Sequence, residues 1–189
     1  MKGLWMAGAA ALALGGCAGT SDEAAAPSAM ASGVPAAAAA AAPMRAADYV
    51  TQAALSDMYE IQSSQLALSK AKSDAVKQFA REMIQDHKTT TKTLMAALPK
   101  TSPQVPKPPK TLSQPNQTKI DQLRQASGAG FDQLYLQQQM QAHQQAWALH
   151  KGYATDGSDP ALRQVATAAV PIIEKHLQHL KAMPAGSGM

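Results

Sequence analysis

Apolar and polar residues alternate with a helical period along most of the chain after Arg45. Apolar residues recur there every three or four positions, as they do on a helix that is buried along one face. Scarce aromatic residues and abundant Ala, Gln, Leu and Met argue against a sheet. The pattern therefore predicts an all-α fold with one short helix, over about 120–126 before a break at 128–130, and four long helices, over about 46–71, 73–98, 131–154 and from 159 onward.

Three of the predicted long helices carry a continuous stripe that is expected to face the core. On the first helix the stripe comprises Val50, Ala54, Met58, Ile61, Gln65 and Leu68. On the second it comprises Val76, Ala80, Met83, His87, Thr91, Leu94 and Leu98, and on the fourth Leu162, Val165, Ala166, Ala169, Ile173, His176, Leu177 and Leu180. Ser73 and Asp159 are predicted N-caps, and Pro160 suits a first helical position. Pro171 lies inside the fourth helix and is expected to kink it.

A proline-rich segment, residues 99–115, separates the second long helix from the third. As an extended polyproline-type chain at ~3.1 Å per residue it reaches about 50 Å, whereas the second helix is roughly 38 Å long. Short links join the first helix to the second and the third to the fourth, so each of those pairs is antiparallel. Residues 45–183 are therefore predicted to form a ferritin-like four-helix bundle with a Pro-rich crossover between helices 2 and 3. An up-down bundle with a looped-out connector is the alternative.

The chain begins with a segment that is typical of export. The apolar run 4–14 is too short to span a bilayer and ends in Leu14-Gly15-Gly16-Cys17, which is similar to the lipobox of bacterial lipoprotein precursors. Residues 1–16 are therefore predicted to be a signal peptide and Cys17 the lipidated N-terminus, an ordinary secretory signal being the alternative. Residues 18–44 are predicted to form a disordered Ala/Pro tether, and residues 184–189 a disordered tail. In a Gram-negative cell, Ala18 after Cys17 implies the outer membrane, facing the periplasm.

Charge and motifs argue against several functions. The formal net charge is +4, but the basic residues are scattered and lack interleaved aromatic residues, so nucleic-acid binding has no support. Cys17 is the sole cysteine, which excludes an intramolecular disulfide. The sequence has no nucleophile elbow and no phosphate-binding glycine loop, so no catalytic residue and no enzyme activity are predicted. The predicted partners are the membrane, through the lipid anchor, and an envelope protein.

Four polar residues, one on each long helix, are expected to point into the core: Glu60, His87, His143 and His176. A carboxylate and imidazoles that converge in a bundle suit a mononuclear zinc or copper site. Met83 and Met140, one turn from two of the histidines, would offer thioethers to copper. The pairs Glu-x-x-His of di-iron proteins are absent. The alternative is a buried polar network, in which each histidine binds a neighbouring acceptor such as Asp86.

Other polar and aromatic residues are assigned structural roles. Asp132 and Tyr135 share one helix face, where structural cross-bracing is the expected role. His150 and His179 lie nearer the helix ends and are expected to be solvated. Two further aromatic residues, Trp147 and Tyr153, are expected to pack in the core, and a role as partly exposed binding aromatics is the alternative.

Several short motifs occur in a characteristic order: Phe79-Ala80-Arg81-Glu82-Met83 through Asp86-His87, Phe131-Asp132 to Tyr135 and His143, and Pro171 through His176-Leu177. Over about 46–183 the chain thereby resembles the secreted bacterial family called domain of unknown function (DUF) 4142. The resemblance implies a ferritin-like helical bundle, often on exported or lipid-anchored proteins, and no established activity. It also implies a Glu at Glu60, Asp-His at Asp86-His87 and His at His143 and His176.

Two functional hypotheses follow. The first is a non-enzymatic, lipid-anchored envelope protein whose bundle binds a protein or another envelope component. The second is a metal-binding or metal-buffering protein that uses Glu60, His87, His143 and His176. Convergence of those four side chains on a common point would favour the second hypothesis, whereas side chains that point apart, or that pair off with Asp86 and Tyr135, would contradict it.

Overall fold

The computed structural model describes residues 43–183. This part of the chain contains no strand and forms a 3-10 turn at Leu98–Lys100 and five α-helices, which are α1 Ala46–Lys70, α2 Asp74–Ala97, α3 Gln114–Gln125, α4 Gly128–Asp156 and α5 Pro160–Ala182. The predicted all-α class is confirmed. The predicted signal peptide, Cys17, nearly all of the tether and the tail lie outside the described residues. None of the five helices is both long enough and apolar enough to cross a lipid bilayer.

The four long helices, α1, α2, α4 and α5, form a helical bundle. α1 packs against α2 and α4, and α5 packs against the same two helices from the opposite corner. α1 and α4 run antiparallel, because Tyr49 contacts His150 and Ser64 contacts Tyr135. The short link between α1 and α2 makes that pair antiparallel too. α2 and α4 therefore run in the same direction.

The chain crosses from one end of the bundle to the other between α2 and α4. Val105 of the proline-rich segment is buried beside Leu98 at the first end. α3 then lies against α1 and α4, and its Leu123 is buried beside Phe131 at the second end. The sequence analysis expected residues 99–115 alone to span this length. The structure divides the crossing between that segment and α3, which begins earlier than predicted because Pro115 occupies its first turn.

The core contains two large apolar clusters, one at each end of the bundle, two smaller apolar clusters, and a polar layer between the two large ones. The first, the Tyr153 cluster, comprises chiefly Tyr49, Val50, Leu94, Leu98, Tyr153, Leu162 and Ala166. The second, the Phe79 cluster, comprises chiefly Ala67, Phe79, Met83, Leu123, Phe131, Tyr135 and Leu180. Between them lie the buried polar side chains, among them Asp57, Glu60, His87, Gln139, His143 and His176.

The predicted stripes on α2 and the fourth long helix, α5, are confirmed in their main positions, whereas the stripe on α1 is right only at Val50 and Ala54. Gln65 and Leu68 are exposed, and Met58 and Ile61 are only partly buried. The face of α1 that enters the core instead carries small and polar residues, namely Ala53, Asp57, Glu60, Ser63, Ser64 and Ala67. Small side chains let α2 and α4 approach closely, and the polar side chains other than Glu60 form hydrogen bonds there, so hydrophobicity alone does not identify this face.

Local signals fix where the helices begin. Asp159 caps α5, since its Oδ1 accepts a hydrogen bond from the backbone N–H of Leu162 at 3.0 Å. Ser73 is the N-cap of α2 but makes no side-chain cap hydrogen bond. The predicted break at 128–130 is instead the first turn of α4, because Gly128 adopts a φ of 58° that turns the chain directly into the helix.

Candidate metal centre

Three imidazoles from three different helices meet in the polar layer. His87 on α2, His143 on α4 and His176 on α5 form the three-histidine cluster, with ring centroids 5.2–5.5 Å apart. One ring nitrogen from each lies within 4.8 Å of those from the other two. All three side chains are buried, at 3, 0 and 0 % exposure. Periodicity placed each of them on an inward face, and the structure brings them together.

Each of these imidazoles has one nitrogen held by an oxygen acceptor of the protein. Nδ1 of His87 lies 2.9 Å from Oδ1 of Asp57. Nδ1 of His143 lies 2.9 Å from the backbone carbonyl of Gln139. Nε2 of His176 lies 3.0 Å from Oδ2 of Asp86. Acceptors at these positions fix the orientation of the ring and leave the second nitrogen available, which is the arrangement found around metal-bound histidines.

The second nitrogens of His143 and His176 face each other. His143 Nε2 and His176 Nδ1 are 3.2 Å apart. A carbonyl oxygen only accepts hydrogen bonds, so the proton of neutral His143 lies on Nδ1. The carboxylate of Asp86 likewise accepts a hydrogen bond from the N–H at Nε2 of His176. In the neutral rings each of the two facing nitrogens therefore carries a lone pair and no proton. Burial lowers the pKa of His143 to about 3 and that of His176 to about 4, which disfavours an added proton on either ring.

His87 differs from the other two histidines in its electrostatic surroundings. Its Nδ1 faces both Asp57 and Oε2 of Glu60, which is 3.1 Å away. Its Nε2 is buried without a hydrogen-bond partner. Burial opposes the charge on this ring, but the carboxylates of Glu60 and Asp57 outweigh it and raise the pKa of His87 to about 9. In the metal-free protein His87 is therefore the imidazole that carries the positive charge of the cluster.

Glu60 lies beside His87, at the Nδ1 edge and not at the inner nitrogens. Its side chain is fully buried, and Oε1 is 3.5 Å from Nδ1 of His143. Although both carboxylate oxygens have close nitrogen neighbours, neither contact has hydrogen-bond geometry, so both oxygens are unsatisfied. Burial raises the pKa of Glu60 to about 7. The structure thus places Glu60 with Asp57 and His87 in a second group of close ligand atoms.

Asp57 is a site residue that the sequence analysis missed. It is buried on α1, one turn before Glu60, and it accepts hydrogen bonds from the hydroxyls of Thr90 and Thr91 as well as facing His87. The signal that could have found it is its register: Asp57 lies four residues after Ala53 and three before Glu60, on the small-residue face of α1. We call Asp57 and Glu60 the acidic edge of His87.

Asp86 links the buried cluster to the surface. Its Oδ2 is shared between His176 and the ammonium of Lys175, which is 2.8 Å away. The same ammonium contacts Glu82 at 2.8 Å, and Glu82 also lies 3.1 Å from Nδ1 of His179. This half-exposed network positions His176 from outside. Asp86 therefore holds His176, which is the role that the polar-network alternative predicts for it and which a metal-bound histidine also requires.

Asp132 and Tyr135 do not pair with each other but brace other elements. Asp132 accepts hydrogen bonds from the backbone N–H groups of Lys72 and Ser73, which fixes the turn between α1 and α2. The hydroxyl of Tyr135 shares a 2.8 Å hydrogen bond with Ser64 on α1. Neither residue touches the three-histidine cluster through these bonds, so both have structural roles.

Two expectations about peripheral residues are wrong. His150 is buried and not solvated, because its Nδ1 shares a 3.0 Å hydrogen bond with the hydroxyl of Tyr49. Trp147 is 37 % exposed and not part of the core, since its indole N–H donates to the exposed Glu174. Tyr153 is buried as expected. A position near a helix end does not imply solvation when a neighbouring helix covers it.

The comparison with protein families identifies the chain. The family model described as domain of unknown function (DUF4142) matches residues 31–183. The chain belongs to this family. The comparison with curated proteins gives no match.

Two solved structures have a similar fold. One is a DUF305 protein from Streptomyces coelicolor, described as a candidate secreted protein; it is 14 % identical, with a TM-score of 0.56 over 70 % of this chain and 86 % of that chain. The other is CopM in its Cu(II)-bound form, which is 19 % identical, with a TM-score of 0.59 over 73 % of this chain and 95 % of that one. At these identities the likeness concerns the helical fold.

Proposed function

We propose that the protein binds a divalent metal ion at the three-histidine cluster. The ligands are Nε2 of His87, Nε2 of His143 and Nδ1 of His176. The observation that carries the proposal is the pair of facing nitrogens, 3.2 Å apart, whose protons are held on the far side of each ring. Two lone pairs at this distance repel each other unless a cation lies between them. A metal ion supplies that cation. It also replaces the proton on Nε2 of His87, which carries the positive charge of the metal-free cluster.

The geometry of the cluster supports a tetrahedral ion. Zinc–nitrogen bonds of about 2.0–2.1 Å at tetrahedral angles separate the ligand nitrogens by about 3.3 Å. His143 and His176 already have this separation to within a tenth of an ångström or so. Three protein ligands leave a fourth position for water. His143 and His176 therefore need little movement to coordinate the ion, and one ring nitrogen of His87 lies within 4.8 Å of theirs.

The charges around the cluster favour a divalent cation. Three neutral imidazoles do not compensate two positive charges, but the carboxylates of Asp57, Glu60 and Asp86 lie directly behind two of the rings. A buried charge requires such partners. Imidazole ligands suit zinc and Cu(II), and the likeness of the fold to the copper-bound CopM agrees with copper as a candidate.

The test is a metal titration of the metal-free full chain by native mass spectrometry and competition with chelators of known affinity. The wild type is expected to bind Zn(II). His143→Gln and His176→Gln are expected to lower the affinity for the first Zn(II) further than loss of an outer-shell partner does, which is typically about 10–100-fold. Glu174→Gln is the control, because Glu174 is exposed and its hydrogen-bond partner is Trp147, outside the cluster. Equal affinity in all four proteins would show that the cluster is only a polar network.

We also propose that the protein acts in the cell envelope, held by a lipid on Cys17 and facing the periplasm from the outer membrane. The lipobox-like Leu14-Gly15-Gly16-Cys17 supports the anchor, and the likeness to a candidate secreted protein agrees with export. Mass spectrometry of the membrane-extracted wild type and of Cys17→Ser tests the anchor. An unmodified, fully soluble wild type would contradict it. Binding of an envelope protein stays a prediction.

We further propose that the bundle has ferritin-like connectivity and that its role is binding and not catalysis. Antiparallel hairpins α1–α2 and α4–α5, joined by a crossing that makes α2 and α4 parallel, support that connectivity. The enclosure of all three histidines supports storage or buffering of an ion, since none of their side chains is exposed on the surface, where a larger substrate would bind. Measurable turnover that disappears in His143→Gln would contradict the binding role.

A further inference from the structure

The acidic edge of His87 has the features of a ligand site in its own right. Oxygens of Asp57 and Glu60 and a nitrogen of His87 lie within 4.8 Å of one another, and all three residues are buried. Both oxygens of Glu60 lack a hydrogen-bond partner although the side chain is fully enclosed. A carboxylate that is buried and unsatisfied needs a physical explanation, because native proteins satisfy most such groups.

We propose that a second divalent cation binds between Asp57, Glu60 and Nδ1 of His87, so that the His87 ring bridges two metal ions through its two nitrogens. This inference rests on the proposed function, because the first ion occupies the Nε2 side of the same ring. Position separates the two sites cleanly. His143 and His176 belong to the first site, and the acidic edge belongs to the second.

The ligand set at the acidic edge differs from that of the three-histidine cluster, because two carboxylates accompany one imidazole nitrogen. Nδ1 of His87 lies 2.9 Å from Asp57 Oδ1 and 3.1 Å from Glu60 Oε2. With metal–ligand bonds of about 2.0–2.1 Å, these separations correspond to ligand–metal–ligand angles of about 90–100°. Angles near 90° and a mixed nitrogen–oxygen set are typical of tetragonal Cu(II). The second site is therefore expected to prefer copper to zinc.

Asp57 is held in a position that suits a ligand. Thr90 Oγ1 and Thr91 Oγ1 donate to its Oδ2 at 2.9 and 2.8 Å, and Thr90 also contacts Oδ1 at 3.0 Å. Hydrogen-bonded carboxylates of this kind are the rule among metal ligands, since the outer donors fix the orientation of the group. Neither oxygen of Glu60 makes a hydrogen bond of good geometry, so both remain available to an ion.

Protons and charges balance when the second ion binds. The ion takes the place of the proton on Nδ1 of His87, which leaves to solvent and makes the ring an imidazolate with one negative charge. Two divalent cations then face four negative groups in and around the cluster, namely the imidazolate and the carboxylates of Asp57, Glu60 and Asp86. A neutral buried assembly avoids the large desolvation penalty of an uncompensated ion.

The inference is tested by Cu(II) titration of the metal-free full chain, with stoichiometry from native mass spectrometry and spin count from electron paramagnetic resonance. The wild type is expected to bind two Cu(II), with a spin intensity at two equivalents below that of two isolated ions, because the shared ring couples them. Glu60→Gln is expected to bind one Cu(II) with full spin intensity. Glu174→Gln, which removes an exposed acid, is the matched control and should behave as the wild type. Two ions in Glu60→Gln, or one in the wild type, would overturn the second site.

Two further variants separate this inference from the proposed function. His176→Gln removes a ligand of the first site alone, so it is expected to retain one uncoupled Cu(II) at the acidic edge. If His176→Gln binds two ions while Glu60→Gln binds one, the first site is wrong and the second stands. Two full, uncoupled spins in the wild type would overturn the bridge by His87. Asp57→Asn repeats the test of the second site should Glu60→Gln fail to fold, as judged by its circular dichroism.

Discussion

The core is apolar at the two ends of the bundle and polar in the middle. The Tyr153 and Phe79 clusters at the ends fill space with large apolar and aromatic side chains. Their few buried polar groups are satisfied, as in the hydrogen bond between Tyr49 and His150. The middle layer instead contains unsatisfied atoms on Glu60, His87 and Gln139.

This difference indicates which part of the core stabilises the fold and which part is adapted to function. Apolar burial contributes roughly 25 cal/mol per Å², so the end clusters are expected to supply most of the free energy of unfolding. Each unsatisfied buried group costs about 1–3 kcal/mol, so the middle layer is expected to weaken the metal-free protein. An ion that satisfies those groups would reverse the cost.

The largest effect on the free energy of unfolding is expected from a substitution within an end cluster. Leu162 is fully buried beside Leu94 and Tyr153, so Leu162→Ala is expected to lower the free energy of unfolding by about 2–5 kcal/mol through lost burial and a residual cavity. Urea unfolding of the metal-free protein measures this. Leu68→Ala, at a position that is 38 % exposed, is the control and should stay within about 0.5 kcal/mol of the wild type.

The same pair of variants sharpens the comparison when metal uptake is measured. Leu162 lies in the Tyr153 cluster and not in the polar layer, so Leu162→Ala is expected to bind Zn(II) with wild-type affinity under conditions where it is folded. A large loss of affinity in Leu162→Ala would show that the end clusters and the middle layer are not separable.

The second expected effect concerns the middle layer. If the cluster binds Zn(II), free metal at 100 times the dissociation constant stabilises the wild type by about 2.7 kcal/mol. His143→Gln is expected to show little of this gain, because it lacks a ligand nitrogen from the centre of the cluster. Urea unfolding with and without Zn(II) gives both values. An equal gain in the two proteins would place the stabilising ion elsewhere.

The sequence was most informative where a helix has one dominant apolar face. On α2 the predicted stripe placed Met83, His87 and Leu94 in the core, and all three are buried. α5 behaves in the same way. On α1 the prediction is wrong along most of the helix, because the buried face there carries Ala, Ser, Asp and Glu. The more hydrophobic Ile61 and Leu68 lie outside that face, so hydrophobicity predicts the wrong side of the helix. Packing against two close neighbours, which no single helix reveals, decides that face.

The candidate site was only partly accessible to sequence reasoning. A histidine within an apolar stripe is conspicuous, which is why His87, His143 and His176 could be singled out. Which nitrogen of each ring is held, and by what, depends on residues of other helices, such as Gln139 and Asp86. Periodicity carries no information about such contacts. The position of Glu60 at the far edge of His87 could not be predicted for the same reason.

The third expected effect is a pH dependence that arises in an end cluster. Burial lowers the pKa of His150 to about 4 from an ordinary value of 6.5. Neutral His150 therefore contributes stability that is fully present above about pH 6.5 and is lost as the pH falls toward 4. At pH 5 the loss is about 2 kcal/mol relative to pH 7.

His150→Gln tests this assignment, because glutamine remains neutral at both pH values. The loss of unfolding free energy between pH 7 and pH 5 is expected to be about 2 kcal/mol smaller in metal-free His150→Gln than in the metal-free wild type. His143 and His176 retain their own lowered pKa values in both proteins, so their contribution cancels in the difference. Identical pH dependences would mean that the pKa of His150 is the same in the folded and the unfolded protein.

The smallest expected effect concerns a polar residue that is satisfied. Asp159 is buried near the Tyr153 cluster, where its two oxygens accept from the backbone N–H groups of Leu162 and Ser102, each at 3.0 Å. Asp159→Ala is expected to lower the free energy of unfolding by about 1 kcal/mol, with Asp159→Asn intermediate since its side chain still accepts one of these bonds. Metal affinity should not change in either variant, as measured by the same Zn(II) titration. The contrast with Glu60 is then direct: a buried carboxylate whose oxygens are satisfied by the backbone affects stability alone, whereas one whose oxygens are unsatisfied affects the binding of an ion.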